Sequence, residues 1–158
     1  MGIVSKNSLI PAFFALVLFS LSALAEDFTK GSITVESPWV KKSQSVKNGA
    51  EGFASIHNGG VVEDHLISIS ADISNHTSIH EIIEKNGGVK MRKTQTPLAI
   101  EPNGYLELKP GGYHFMFFNC QDELRDDEMI PAILHFEKNG DVKVNFLIKT
   151  ADDELDNP

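Results

Sequence analysis

The chain has 158 residues, with 22 acidic and 14 basic side chains and a formal net charge of −8 at pH 7. This length suits one domain, and so acidic a chain is a poor match for nucleic acid or for an anionic membrane surface. The single cysteine, Cys120, excludes an internal disulfide, a CxxC redox motif and a zinc or iron–sulfur site held by several cysteines.

Residues 1–25 have the pattern of an export segment. Lys6 precedes an apolar run, and Ala23-Leu24-Ala25 follows it. This order predicts a secretory signal peptide cleaved after Ala25; the alternative, an uncleaved membrane anchor, needs a longer apolar run. We therefore expect a periplasmic protein with no stable membrane association after cleavage. The folded domain would span residues 26–150, and residues 151–158 would form an acidic, solvated tail.

From residue 33 onward the pattern predicts short β-strands separated by turns. Short apolar or alternating runs are bounded by Gly, Pro and Asn, and no window shows a sustained 3.6-residue apolar period. Seven to nine strands at this spacing favour an all-β, antiparallel sandwich or barrel. The predicted strands cover residues 33–40, 49–58, 66–69, 78–83, 89–93, 105–108, 113–119, 133–137 and 142–148.

Two histidines and two methionines stand close together in this pattern: His80, Met91, His114 and Met116. His114 and Met116 are two residues apart on a predicted strand, so both side chains point to the same face of the sheet. Thioethers are soft donors that suit Cu(I), and imidazole binds copper and zinc alike. Two methionines and two histidines without a carboxylate ligand therefore favour Cu(I). A thiol-free site also suits an oxidising compartment.

The turn at Asn86-Gly87 decides whether His80 and Met91 are neighbours. Asn-Gly predicts a two-residue hairpin turn, which places Ile82 opposite Met91 and Lys93 opposite His80. In that register His80 and Met91 form a diagonal pair on one face, whereas a slip by one residue separates them. Strand geometry therefore predicts two pairs of donors and leaves open whether the pairs meet.

The stretch resembles the periplasmic copper chaperone family PCu(A)C. The family motif is a His, ten residues, a Met, about twenty-one residues and then His-x-Met. The surrounding residues GGVKMR (87–92) and LKPGGYHFM (108–116) match as well. Two further positions that often hold Met in the family are Ile82 and Phe118 here, and the second gap is one residue longer. The motif positions are His80, Met91, His114 and Met116.

The resemblance implies a cupredoxin-like Greek-key antiparallel β-sandwich with a Cu(I) site at those four residues. It implies a binding protein, not an enzyme, that delivers copper to a protein recipient. The implied recipients are the copper subunit of cytochrome c oxidase and a thioredoxin-like copper chaperone. We expect an exposed site, since exposed thioether donors exchange readily with a partner's thiolates. Two alternatives stay open: a periplasmic copper buffer or uptake protein, and a metal-free β-sandwich interaction module.

Other features of the sequence are weaker evidence of function. Residues 80–84 resemble the HExxH zinc motif but end in Glu84 where the second histidine belongs. Cys120 shares the strand parity of Met116, which makes a blue-copper ligand conceivable, although buried packing is the simpler interpretation. No nucleophile–base pair or carboxylate pair indicates an enzyme. The remaining histidines are interpreted as ordinary surface or hydrogen-bonded residues: His57, His65, His76 and His135.

Overall fold

The computed structural model describes residues 26–95, 97–121 and 123–149, so the predicted signal peptide and acidic tail lie outside the described residues. The described chain contains eleven strands and no helix, which confirms the all-β fold class; nothing in it is a helix able to cross a membrane. The strands are β1 (Phe28–Lys30), β2 (Ile33–Lys42), β3 (Ala50–Asn58), β4 (Asp64–Ser70), β5 (Ser74–Lys85), β6 (Gly88–Lys93), β7 (Leu98–Ile100), β8 (Tyr105–Leu108), β9 (His114–Cys120), β10 (Met129–Phe136) and β11 (Gly140–Ile148).

The strands join in the order β6-β5-β9-β3-β2-β11-β10-β4-β7, with β1 added to β2 and β8 added to β3. Neighbours are antiparallel except β11 and β2, which are parallel. The strand β2 changes neighbours along its length, and its register with β3 shifts between Glu36 and Trp39. Ser37, at this shift, has a positive φ of 47°, a conformation that bends the strand between its two pairings.

Aromatic side chains join β9 to β11 across the core. Phe115 and Phe117 on β9 contact the ring of Phe146 on β11, with centroids 5.7 and 6.0 Å apart and near-perpendicular planes. Such edge-to-face contacts between large buried rings are favourable beyond the area that they bury. The opposite face of β9 is buried too, because His114 and Met116 are only 3% and 0% exposed. β9 is therefore an interior strand with one face in the core and the other carrying His114 and Met116 of the motif.

The predicted hairpin register is confirmed. Asn86 and Gly87 both have positive φ, 55° and 75°, as a type I′ turn requires. Ile82 pairs with Met91, and His80 pairs with Lys93. The Asn-Gly turn therefore sets the two strands in the register that keeps His80 and Met91 on one face.

The predicted number of strands was too low, and two boundaries were wrong. The strands β1 and β7 have three residues each, too few for a periodic signal. β5 begins at Ser74 and not at residue 78, because its early residues pair with the end of β9. β10 begins at Met129 despite Pro131, which lacks an N–H, because residues 129–136 pair continuously with β11. These differences arise from tertiary pairing, which local sequence patterns do not report.

A methyl group at Gly52 tests the packing of β9 against β3. A Cβ there would lie 2.8 Å from Phe117 Cε2 and 3.3 Å from both Phe115 Cβ and Phe146 Cε1. We expect Gly52→Ala to lower the free energy of unfolding by about 1–3 kcal/mol, since the packed Phe117 ring must shift and Phe115 and Phe146 must move slightly. Gly59→Ala is the matched control, because the nearest atom to its Cβ would be at 3.5 Å. Urea denaturation measures both, and equal midpoints for the two variants would contradict this packing.

Candidate metal site

Strands β5, β6 and β9 lie side by side and bring the two predicted donor pairs together. His80 on β5 pairs directly with His114 on β9 and, on its other side, with Lys93 on β6. Directly paired residues share a face of the sheet, as do residues two apart on a strand. All four motif residues therefore lie on one face, across three adjacent strands.

The closest contact joins His114 to Met91. Nε2 of His114 lies 3.2 Å from Sδ of Met91, and Nδ1 of the same ring lies 3.1 Å from the carbonyl oxygen of Gly112. A carbonyl oxygen only accepts hydrogen bonds, so Nδ1 carries the proton and donates it. In the neutral ring Nε2 then has a lone pair and no hydrogen. Two electron-pair donors thus face each other, with neither able to hydrogen-bond the other.

This arrangement fits a shared metal ion. Two donors on one tetrahedral ion, with bonds of about 2.0 Å to nitrogen and 2.3 Å to sulfur, lie about 3.5 Å apart. The observed separation of 3.2 Å needs only a small adjustment to reach that value. A backbone carbonyl that holds Nδ1–H is also the usual way to fix the orientation of a ligating imidazole. The Gly112 carbonyl therefore aims the free Nε2 at the site.

His80 contributes a second imidazole with an unsatisfied nitrogen. Its ring lies 5.9 Å from the His114 ring and 5.7 Å from the Phe118 ring, measured between centroids. Its Nδ1 atom is buried and has no hydrogen-bond partner among the described residues. Buried polar atoms are rarely left unpaired. A metal ion is one partner that would satisfy this atom.

The side chain of Met116 lies on the same face of the sheet as the other three motif residues but is more deeply buried. It pairs with Ser78 on one side and Glu51 on the other, and it is fully buried. Its Cε lies 3.1 Å from the position that a Cβ on Gly49 would occupy. The structure thus brings Met91 into contact with His114 and places the His80 ring next to the His114 ring. Met116 lies about 7 Å along the strand from His114. Its role as the fourth ligand stays a prediction.

The expectation of an exposed site is wrong for the two β9 residues. His114 and Met116 are buried because their neighbours are strands on both sides, and the Phe53 ring lies 6.3 Å from the His114 ring. His80 and Met91 are half-buried, and β6 is the last strand of the sheet order. The site is therefore half-buried, and its more exposed side is formed by β5 and β6.

Comparison with known proteins assigns the family. The LpqE-like lipoprotein family model matches residues 33–148, most of the chain and all four motif residues. The chain belongs to the LpqE-like family. A curated relative, an uncharacterised protein of Rickettsia prowazekii (strain Madrid E), is 28% identical over 120 residues. The aligned region covers 73% of this chain and 65% of that protein, so the chain spans slightly less than two thirds of its relative.

Solved structures show the same fold in PCuAC domains. The apo PCuAC domain from PmoF1 has a TM-score of 0.68 at 23% identity, covering 79% of this LpqE-like chain and 99% of that domain. The copper-bound PCuAC domain from PmoF2 has a TM-score of 0.65 at 18% identity, with coverages of 79% and 98%. CuI-DR1885 from Deinococcus radiodurans has a TM-score of 0.56 at 16% identity, with coverages of 79% and 81%. The predicted cupredoxin-like fold and the resemblance to PCu(A)C are thereby confirmed.

The electrostatic surroundings of this site favour the neutral form of His80. Burial lowers the pKa of the His80 imidazole from its ordinary value of 6.5, and the charges of His114, Lys93 and His76 lower it further. Burial and nearby positive charge both disfavour the imidazolium. Since a metal binds only the neutral ring, the environment favours the form of His80 that is ready to bind.

The structure supports a packing role for Cys120. Its thiol donates a hydrogen bond to the carbonyl oxygen of Phe117, with 3.9 Å between the sulfur and the oxygen. Burial raises the pKa of the thiol. A protonated thiol is a poor metal ligand. Cys120 pairs with Ser74, six residues along β5 and β9 from the pair that joins His80 and His114. The interpretation as a blue-copper ligand is therefore not supported.

One polar triplet was missed by sequence reasoning. Ser70 Oγ lies 3.0 Å from His135 Nε2, and His135 Nδ1 lies 2.7 Å from Asp141 Oδ1. The three residues follow the order of a Ser-His-Asp triad and lie on β4, β10 and β11. The Asp141 side chain, however, is 61% exposed. A catalytic carboxylate needs a water-poor setting to hold the imidazole. No local signal marked these residues, because three different strands supply them.

Titration of His80 tests the electrostatics. In the copper-free protein we expect its pKa, followed by NMR, to lie below 6.5, and Lys93→Gln to move it upward because one repelling charge is lost. As the pH falls, His80 in the unfolded chain takes up a proton at a higher pH than His80 in the folded chain. This residue therefore lowers the free energy of unfolding as the pH falls through 6.5. Lys138→Gln, on the far side of the fold, serves as the control. A His80 pKa at or above 6.5 would contradict the structure.

Proposed function

We propose that this protein binds one Cu(I) ion outside the cytoplasm through His80, Met91, His114 and Met116, and hands it to another protein without catalysing a reaction. The observation that carries the proposal is the facing pair of His114 Nε2 and Met91 Sδ at 3.2 Å. The hydrogen bond to Gly112 leaves that nitrogen without a proton, so the contact has no explanation as a hydrogen bond in the neutral ring.

The donor set selects the metal. Two thioethers and two neutral imidazoles bring no negative charge, which suits a soft monovalent ion better than zinc, calcium or magnesium. Within the described residues, no cluster of three or more His, Cys, Asp or Glu side chains could hold a metal ion. The copper-bound PCuAC domain and CuI-DR1885, which share the fold, support the choice of copper and of its oxidation state.

Burial divides the site into a fixed part and an accessible part. His114 is buried and held by a backbone carbonyl, whereas His80 and Met91 are half-buried at the open side. A thioether binds weakly, so a partner's thiolate can replace Met91 first while the buried ligands still hold the ion. Release can then proceed by stepwise ligand exchange.

The recipient that we propose is the copper centre of cytochrome c oxidase, with a thioredoxin-like copper chaperone as the other candidate acceptor. The periplasmic location that we propose rests on the export pattern of residues 1–25. The lipoprotein description of the family supports export of the chain.

A Cu(I) titration with X-ray absorption tests the ligand set. We expect one Cu(I) per chain, with two nitrogen and two sulfur scatterers. Met91→Ala and Met116→Ala should each weaken Cu(I) binding by at least about tenfold, as loss of a ligand or its support does elsewhere. Met129→Ala is the matched control, since Met129 is 50% exposed on β10 and away from the site.

The possible results separate the assignments. A shell of nitrogen or oxygen alone would exclude the thioether ligands. An unchanged affinity in Met116→Ala with a loss in Met91→Ala would limit the site to the three residues that already converge. Binding no tighter than micromolar in the parent protein would exclude the proposed function.

A further inference from the structure

The side chain of Met116 is turned away from the other motif residues. Its Cε atom lies 3.1 Å from the position that a Cβ on Gly49 would occupy. Gly49 immediately precedes Ala50, which pairs with Phe117. In antiparallel strands, the residue before Ala50 on β3 lies beside the residue after Phe117 on β9. The methyl end of Met116 therefore points along β9 in the direction opposite to His114.

A short loop receives this methyl group. Residues 43–49 join β2 to β3, and the side chain of Val46 on this loop packs against Gly49. The Cγ1 and Cβ atoms of Val46 lie 2.9 and 3.0 Å from the same Cβ position that Met116 approaches. Both side chains thus occupy the space that a larger residue than glycine would fill, and Met116 is 0% exposed. We call Val46 and Gly49 the methionine seat.

Backbone hydrogen bonds hold the methionine seat in place. The N–H of Ser43 donates to the carbonyl oxygen of Gly49 at 2.8 Å, and the N–H of Gly49 donates to that of Val46 at 3.1 Å. The N–H of Cys120 on β9 donates to the carbonyl oxygen of Asn48 at 2.8 Å. These bonds close the loop on itself and join it to β9. The seat is therefore a fixed part of the fold, and any change of position belongs to the methionine side chain.

A seated Met116 is badly placed to bind the same ion as His114 and Met91. Two donors on one tetrahedral ion lie about 3.5 Å apart. The backbones of His114 and Met116 are about 7 Å apart, because the two residues are separated by one residue of a strand. A thioether directed toward His114 shortens this distance, whereas one directed toward the seat lengthens it. To join the other ligands, the Met116 side chain therefore has to leave the seat.

Two features permit this movement. Methionine is unbranched and turns about several single bonds, so its thioether can change direction while β9 keeps its neighbours. Val46 and Gly49 also line a cavity of about 430 Å³, so the residues around an empty seat have room to adjust. Leaving the seat loses the packing contacts with Val46. A bond between the thioether and Cu(I) offsets that loss.

We propose that Met116 is a ligand with two positions, which lies in the methionine seat in the copper-free protein and turns toward His114 when Cu(I) binds. The inference rests on the proposed function. Because only molecules with an empty seat offer the fourth ligand, the seat lowers the affinity for Cu(I). The coupling is reciprocal, so bound Cu(I) also empties the seat. The seat thereby keeps the affinity at a level from which the ion is released to a partner.

NMR of methyl groups tests the two positions directly. In the copper-free protein we expect a nuclear Overhauser effect between the methyl groups of Met116 and Val46, since both lie about 3 Å from one point. Addition of stoichiometric Cu(I) should abolish it, while the exposed Met129 methyl serves as the control. Hydrogen exchange at the Cys120 amide should not change, because the loop stays bonded to β9. A contact that persists in copper-loaded protein, or faster exchange at Cys120, would overturn the proposal.

Two substitutions in the seat test its effect on affinity. Gly49→Ala adds a methyl group 3.1 Å from Met116 Cε and 2.9 Å from Val46 Cγ1, which penalises the seated position. We expect Cu(I) to bind at least about threefold tighter, because more molecules then have the side chain free to bind. Val46→Ala removes part of the seat and should act in the same direction. Gly59→Ala, with no atom closer than 3.5 Å to its Cβ, is the matched control and should leave the affinity unchanged.

The same substitutions in a Met116→Leu background identify the residue responsible. Leucine has nearly the volume of methionine but no sulfur, so neither seat substitution should then alter the affinity. A gain that persists with leucine, or no gain in either seat variant, would overturn the proposal. If the parent protein binds no Cu(I), the proposed function fails. If it binds Cu(I) while the Met116 methyl stays beside Val46, copper binding stands and this inference fails.

Discussion

The pairing of β5 with β9 is the constraint on which the site depends. It sets His80 directly opposite His114, and the adjacent hairpin then brings Met91 over the same face. β9 is held in place from its other face, where two phenylalanines pack against β11. A shift of β9 by one residue would exchange these faces, placing rings in the site and polar donors in the core. Stability of the sandwich and geometry of the site are therefore coupled through one strand.

The chemistry of the site follows from what the fold does to its protons. In neutral His114, Nδ1–H donates a hydrogen bond to the Gly112 carbonyl oxygen. Burial and nearby positive charge lower the pKa of His80. The Nε2 lone pair of neutral His114 thus faces Met91, and the surroundings of His80 favour its neutral form, which is the form that binds a metal. Lys93, paired opposite His80, adds a positive charge beside the site. A positive charge there repels a monovalent ion less than a divalent one.

The two parts of the site differ in rigidity for a physical reason. His114 and Met116 are on an interior strand with neighbours on both sides, so their side chains are packed and shielded from water. Met91 is on the terminal strand of the sheet order, which has a neighbour on one side only. The stepwise release that we propose relies on this contrast between a weak donor on the last strand and a buried histidine on the interior strand.

The sequence by itself determined the all-β class, the type I′ turn at Asn86-Gly87 and the shared face of His114 and Met116, because each depends on local periodicity or turn chemistry. Only the tertiary structure decided that Met91 and His80 lie beside His114, that Met116 is buried against Gly49 and that the proton of neutral His114 is on Nδ1. These depend on which strands become neighbours, as do the unpredicted strands β1 and β7 and the triplet around His135. Pairing between distant strands is set by the fit of the whole core, and no local pattern encodes it.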